Sequence, residues 1–232
     1  MAFLAAYNAK KLGVRYYVSQ YMFNTPPATS PVMDVGKMLA KIELIESLHD
    51  KNFTTFRQVR AGLASFLPDL NIAKGQLAAS GLLSLALKPH ILHVVGYCEA
   101  IHIIKPDELI ESCKIIKGVI HNSLKDFPNM IKDKRVQQRK NELIKESKVL
   151  LDAIKKLGNK SKDPWADPEI LAKAIEIGLL DAPHLQGNPY AKGKIITKMT
   201  EGKCCAVAEN TEKIISEKER TDFLRRSKID EQ

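Results

Sequence analysis

Residues 14–23, VRYYVSQYMF, are dense in aromatic and β-branched side chains and are followed by N-T-P-P at 24–27. Such side chains favour a β-strand, and proline ends it because proline cannot donate a ladder hydrogen bond. Two more segments predict strands, FTTFRQVRAG at 53–62 and ILHVVGYC at 91–98. The three strands start 39 and 38 residues apart, which leaves room for a helix between successive strands. This βα period favours a parallel sheet with helical crossovers.

The segments between the strands carry apolar residues at helical spacing. A first helix is expected at Asp34, whose side chain can cap it, a second over 72–87 and a third from Pro106. A complete barrel of eight such units takes about 250 residues, whereas only three to four units fit before residue 128. We therefore predict an α/β fold in which residues 1–128 form a partial (β/α) TIM-type barrel.

Residues 129–232 differ in character and predict a second region, a C-terminal helical extension with a β-hairpin. Its expected elements are a charged helix over 131–157, a helix starting at 167–169, a hairpin of 194–199 with 203–208, and a last helix that begins with a Ser216–Glu219 capping box. At the other end of the chain, a helix is expected over residues 1–12, ended by Gly13.

The composition excludes several classes of protein. The 232 residues carry 36 basic and 27 acidic side chains, a formal charge of +9, and 44% apolar residues, as expected of a globular chain. The lysines are scattered among glutamates and no basic stretch is interleaved with aromatic residues, so nucleic acid is not an expected partner. No apolar run reaches about 18 residues and no signal-peptide pattern is present, so we expect a cytoplasmic protein without a membrane partner.

Candidate site residues follow from the predicted topology, because reactive groups in parallel α/β barrels lie at the carboxyl ends of the strands. The second strand carries Arg57, Gln58 and Arg60 near its end, and Glu99 follows the third strand. The arginines could hold a carboxylate, a phosphate or an amide-bearing cofactor, or form a salt bridge inside the barrel mouth. Glu99 could accept hydrogen bonds from a ribose diol, act as a base, or pair with a neighbouring arginine.

The cysteines and histidines give no metal signature. Cys98 and His102 are four residues apart, but no third and fourth ligand follow at regular spacing, so no metal site is predicted. The four cysteines contain no C-x-x-C pair and are expected to be reduced thiols.

Five segments resemble, in order, the C-terminal half of the large, epsilon-type subunit of glutamate mutase (methylaspartate mutase). They are YNAKKLGVRYYV, FRQVRAG, VVGYCEAIHIIKPDE, ILAKAIEIGLLDAPHLQGNPYAKGKI and CCAVAENTEKIISEKER. The match covers most of the chain and is sharpest at Glu99-Ala100 and at G-L-L-D-x-P, residues 178–183. That family has an adenosylcobalamin-dependent barrel.

The resemblance implies the barrel component of a cobalamin-dependent enzyme, a carbon-skeleton mutase. Glu99 then matches the family glutamate that hydrogen-bonds the adenosyl ribose, with Arg57, Gln58 and Arg60 lining the mouth and contacting the cofactor. The lysine that the family places shortly before this glutamate has no counterpart among residues 95–97. No catalytic residue is assigned.

The resemblance also implies partners, without which the enzyme would be incomplete. An N-terminal half-barrel would supply the substrate-binding arginines, and a flavodoxin-like cobalamin-binding domain or subunit would hold the lower face of adenosylcobalamin. This chain has D-x-x-H-x-x-G at 181–187, one residue longer than the D-x-H-x-x-G motif of cobalamin-binding domains, so His184 is interpreted as a loop histidine. Two alternatives stay open, a corrinoid-dependent methyltransferase barrel and a non-catalytic half-barrel assembly subunit.

Overall fold

The computed structural model describes residues 1–209 and 211–229, which form an α/β fold. In chain order its elements are α1 (Ala2–Lys11), β1 (Tyr16–Phe23), α2 (Pro31–Glu46), β2 (Thr54–Ala61), α3 (Leu70–Leu85), β3 (Ile91–Leu92), α4 (Pro106–Ser123), α5 (Lys134–Leu157), α6 (Pro168–Glu176), β4 (Ile196–Thr200), β5 (Lys203–Val207) and α7 (Glu217–Ile229). None of the described helices is both long enough and apolar enough to cross a membrane.

The chain divides into two compact units. The sheet unit comprises residues 15–140 and 201–203, and the helical unit comprises 1–14, 141–200 and the residues from 204 onward. The division therefore falls within α5, and the N-terminal helix belongs to the same unit as the C-terminal helices.

The sheet unit holds a parallel sheet with the strand order β1-β2-β3, as the βα period predicts. β1 and β2 pair along their whole length, from Tyr16 opposite Thr54 to Phe23 opposite Ala61. Among the described strands, β1 and β3 each have a single neighbour, and the sheet does not close into a barrel.

The third strand is much shorter than the predicted 91–98. Only Ile91 and Leu92 pair with β2, and the His93 amide donates the last cross-strand hydrogen bond to the Val59 carbonyl. The rest of the apolar run turns away and buries Val95, Tyr97 and Cys98 against α3 and α4. Burial by helices, rather than by a neighbouring strand, explains why this run is apolar.

The helices between the strands are confirmed, with a correction at the start of α2. Ser30 caps this helix, accepting from the Met33 amide, and Pro31 occupies its first turn. Asp34 is not the cap but lies inside the first turn, where it accepts a hydrogen bond from the Asn24 amide and pairs with Lys37.

Within the sheet unit, the described helices pack on one face of the sheet. Side chains at alternate positions, such as Tyr21, Phe23 and Val59, form a buried core with α2. On the opposite face, Tyr16 is 60% and Val18 48% exposed. We call this second surface the open face.

The helical unit has a core of its own. α1, residues 141–157 of α5, and α6 contribute the buried side chains of Leu4, Ile154 and Ala174, among others. The indole of Trp165 stands edge-on to the rings of Phe3 and Tyr7, each 5.5 Å between centroids. The predicted hairpin of β4 and β5 and the Ser216–Glu219 capping box of α7 are both present.

Candidate functional site

The carboxyl ends of β1 and β2 lie side by side and are held together at Gly62. The Gly62 amide donates to the Phe23 carbonyl at 2.8 Å. A Cβ at this position would lie 2.1 Å from Thr25 Oγ1 and 2.7 Å from the Phe23 oxygen. Because no larger residue fits without movement of the backbone, glycine sets the close approach of these two strand ends.

Arg57 lies on the helix-covered face of β2 and not in a mouth. Its Nε and Nη2 donate to the two carboxylate oxygens of Glu46, at 2.7 and 2.9 Å, and its Nη1 donates to the Leu87 carbonyl at 2.9 Å. The sequence leaves open a salt bridge inside the barrel mouth for this residue. Arg57 does form a salt bridge, but on the helix-covered face of the sheet. Strand alternation is the reason, since position 57 shares a face with the buried Thr55 and Val59.

Gln58 belongs to the open face. Its Nε2 lies 3.4 Å from Gln20 Oε1 and 3.3 Å from His93 Nδ1, so three polar side chains form a row across the sheet.

Arg60 also belongs to the open face, one residue before the end of β2. Its Nε donates to the Ala61 carbonyl at 3.2 Å, and its two terminal nitrogens have no partner within the described part of the chain. Arg60 therefore offers free donors where Arg57 does not.

Glu99 is exposed in the turn that follows β3. Its Oε1 accepts from the Gly96 amide at 2.6 Å, whereas Oε2 has no partner among residues 1–209 and 211–229. A Cβ on Gly96 would lie 2.9 Å from that Oε1 and 2.2 Å from Ile104 Cδ1, so glycine lets the carboxylate fold back towards the strand end. No arginine pairs with Glu99 in the described structure.

The same loop contains a cluster that the spacing of residues did not predict. Glu108, in the first turn of α4, meets Cys98 and His102: its Oε2 is 3.4 Å from Cys98 Sγ, and its Oε1 is 3.4 Å from His102 Nε2. One ligand atom from each residue lies within 4.8 Å of those of the other two. Sequence reasoning missed Glu108, because its carboxylate reaches Cys98 and His102 only when the turn at 98–102 folds back over the start of α4.

Charge and burial shape this cluster. Burial raises the pKa of the Cys98 thiol, and its hydrogen bond to Glu108 acts in the same direction. The Lys105 amide, which donates to Glu108 Oε2 at 2.8 Å, lowers the pKa of the Glu108 carboxyl.

Tyr97 connects the loop after β3 to α3 and α4. Its hydroxyl donates to Glu111 at 2.5 Å, and this hydrogen bond, followed by burial, raises the pKa of Tyr97 to about 12. Lys74 Nζ donates to the same carboxylate at 2.6 Å and lies 4.7 Å from the centre of the Tyr97 ring. These contacts tie the chain just before Cys98 to α3 and α4.

The segment 178–187 of the helical unit has a structural role. Asp181 accepts hydrogen bonds from the amides of residues 182, 193, 194 and 195, each at 2.9 to 3.1 Å, and so organises the loop. His184 lies exposed in a short 3-10 turn, Pro183–Leu185. This position agrees with its interpretation as a loop histidine.

Comparison of the sequence with protein-family models and with curated proteins finds no match to this chain.

Proposed function

We propose that this chain is the barrel component of a cobalamin-dependent enzyme, a carbon-skeleton mutase resembling methylaspartate mutase. The main support is the sheet unit, whose parallel strands follow chain order and whose described helices lie on one face of the sheet. Doubly wound sheets carry helices on both faces, whereas a (β/α) TIM-type barrel carries them only on the outside. On this proposal, the open face is the interior of a barrel that a partner completes.

The exposed groups of the sheet support a partner of this kind. Tyr16, Val18 and Ile91 present apolar surface across the open face, each more than 40% exposed. The outer edges of β1 and β3 leave backbone groups without a strand neighbour in the described chain. An eight-stranded barrel would need about five more strands, so the N-terminal partner would have to supply somewhat more than half of the barrel.

Three residues near the carboxyl ends of β2 and β3, Glu99, Arg60 and Gln58, fit part of the expected cofactor contacts. Glu99 Oε2 can accept hydrogen bonds from a ribose diol, because Oε1 is already fixed by Gly96. The terminal nitrogens of Arg60 can donate to amide oxygens, and Gln58 offers a further amide beside Gln20. Arg57 does not fit this role, since Glu46 and Leu87 use its donors.

In this proposal, the residues of this chain position the cofactor and enclose the reaction away from water. Adenosylcobalamin, when bound, supplies the radical chemistry that hydrogen abstraction from carbon requires. Glu99 orients the adenosyl group, Arg60 and Gln58 hold amide groups at the ends of the strands, and the apolar side chains of the open face help to keep water from the interior. A flavodoxin-like domain or subunit would hold the lower face of the corrinoid.

The test is co-expression of the full chain with the products of its genomic neighbours, followed by purification of the complex with adenosylcobalamin. We expect a corrinoid spectrum in the complex and its loss in Glu99→Gln. Asp107→Asn is the matched control, because Asp107 is an exposed carboxylate in the first turn of α4. Val18→Lys on the open face should prevent assembly, whereas Leu124→Lys at the end of α4, equally apolar and 75% exposed, should not.

Three results would contradict the proposal. Retention of methylcobalamin that is indifferent to Glu99 would favour a corrinoid-dependent methyltransferase barrel. A stable complex that binds no corrinoid would favour a non-catalytic assembly subunit. Assembly unaffected by Val18→Lys would remove the open face as the interior of a shared barrel.

A further inference from the structure

We infer that Cys98, His102 and Glu108 form a zinc site with three protein ligands and an open fourth position. A thiolate, an imidazole and a carboxylate converge here from two parts of the chain, the turn after β3 and the first turn of α4. This donor set suits Zn²⁺ better than Mg²⁺ or Ca²⁺, which prefer oxygen ligands alone. The inference does not depend on the proposed function, because it concerns this chain without a corrinoid.

Two separations within the cluster are close to those of a tetrahedral zinc site. With Zn–S near 2.3 Å and Zn–N or Zn–O near 2.0 to 2.1 Å, tetrahedral geometry places ligand atoms about 3.4 to 3.6 Å apart. The sulfur of Cys98 lies 3.4 Å from Glu108 Oε2, and the Nε2 of His102 lies 3.4 Å from Glu108 Oε1. One ligand atom of each of the three residues lies within 4.8 Å of the other two, somewhat wider than a bound ion requires. An ion can therefore enter with small movements of side chains.

The orientation of His102 is that of a metal ligand. Its Nδ1 lies 3.0 Å from the Ile103 carbonyl, and a carbonyl only accepts, so Nδ1 carries the hydrogen of this contact. In the neutral form of the ring, the lone pair of Nε2 faces Glu108. Two acceptors facing each other require a proton or a cation between them. Metal-binding histidines commonly donate their other ring nitrogen to a backbone carbonyl in this way.

The remaining two ligands are also fixed in place. Cys98 is fully buried, and Glu108 is held by the Lys105 amide on Oε2. The His102 side chain is 38% exposed, so the cluster runs from a buried sulfur to a solvent-facing imidazole. Because the His102 end of the cluster is open to solvent, a water molecule would complete the four ligands. One thiolate and one carboxylate together balance the charge of Zn²⁺.

The experiment uses the purified full chain, freed of metal with a chelator and then titrated with Co²⁺ and Zn²⁺. We expect a sulfur-to-cobalt charge-transfer band together with the intense visible bands of a four-coordinate site. Cys98→Ser should abolish the charge-transfer band, whereas Cys113→Ser, a half-buried cysteine of α4, should keep it. Glu99→Gln should leave the spectrum unchanged, which separates this site from the corrinoid contact.

Competition with a chromophoric chelator measures the zinc affinity of the variants. We expect His102→Gln and Glu108→Gln each to weaken binding by at least the roughly 10- to 100-fold that loss of a group supporting a metal ligand costs. Glutamine at position 108 can still accept from the Lys105 amide, so the helix cap is kept. His102→Gln changes an exposed side chain and decides the matter if Cys98→Ser fails to fold. An absent charge-transfer band in the unmodified chain, or unchanged affinity in His102→Gln, would overturn the inference.

Discussion

Arg57 and Arg60 stand three positions apart on β2 and face opposite sides of the sheet. The residue type alone does not separate them, because both are arginines near a strand end. Their positions in the strand separate them. Position 57 is an even number of residues from the buried Val59 and shares its face, whereas position 60 shares the open face with Gln58. Arg57 therefore ties Glu46 of α2 and Leu87, just after α3, to the sheet, whereas the terminal nitrogens of Arg60 have no partner in the part of the chain that the structure describes.

The Arg57→Lys variant should lower the free energy of unfolding by about 1 to 3 kcal/mol, the range for charged hydrogen bonds. Lysine keeps the charge but cannot serve both oxygens of Glu46 and the Leu87 carbonyl at once. Arg60→Lys is the control and should leave stability unchanged. Urea denaturation of the three proteins measures the difference, and equal stabilities would contradict the structural role of Arg57.

A pH-dependent contact joins α1 to the loop before α6. Asp163 accepts from the Tyr7 hydroxyl at 2.9 Å and pairs with Lys11 at 2.7 Å. The hydrogen bond from Lys11 is the main reason that the pKa of the Asp163 carboxyl lies below its usual value. A lowered pKa contributes stability above the pKa of the unfolded chain, and this contribution is lost as the pH falls through the pKa of the folded state.

We expect Asp163→Asn to be slightly less stable than the unmodified protein at pH 7, and the difference to vanish in acid below the lowered pKa. Asparagine can still accept from Tyr7, so the change isolates the charge. Unfolding by urea across a pH series gives the two curves, with Asp107→Asn as an exposed control. A difference that grew towards low pH would contradict the sign of this linkage.

At the scale of the elements, local sequence predicts most of the secondary structure. β1 follows from its aromatic and β-branched run, and α4 from Pro106 and its apolar stripe. The corrections arise where tertiary contacts compete. Ser30 and Pro31 begin α2 one turn before Asp34, and the apolar run after Leu92 packs on helices and leaves the sheet. Alternation or periodicity alone cannot show which neighbour buries an apolar residue.

The junction of β1 and β2 gives a prediction at this scale. Gly62→Ala should lower the free energy of unfolding by about 1 to 3 kcal/mol, as overpacking does, because the new Cβ meets Thr25 and the Phe23 carbonyl. Gly75→Ala is the matched control: it lies in α3 with nothing within 4 Å of its Cβ position, and should stabilise the helix by roughly 0.5 to 1 kcal/mol. Thermal or urea denaturation measures both, and a neutral Gly62→Ala would show that the strand ends can separate freely.

At the scale of the whole molecule, the contacts between distant parts of the chain are the least predictable from the sequence. Residues 1–12 predict a helix, but not that Phe3 and Tyr7 of this helix pack on Trp165, more than 150 positions away. In the same way, Cys98 and His102 are visible as a pair, whereas Glu108 joins them only through the fold of the loop. Contacts between distant parts of the chain depend on packing that no local pattern records, and both the division into units and the candidate zinc site depend on such contacts.

The separate cores of the two units predict separate responses to mutation. Ile154 of α5 and Ile45 of α2 are isoleucines on helices, 0% and 1% exposed, and they belong to the helical and the sheet unit respectively. Replacing either with alanine leaves a cavity and costs about 2 to 5 kcal/mol. Because each unit buries its own apolar clusters, we expect Ile154→Ala to speed amide hydrogen exchange in α6 while β1 and β2 stay protected, and Ile45→Ala to do the reverse. Exchange measured by mass spectrometry on the full chain resolves the two units, and an equal loss of protection in both units from either variant would show that they unfold as one.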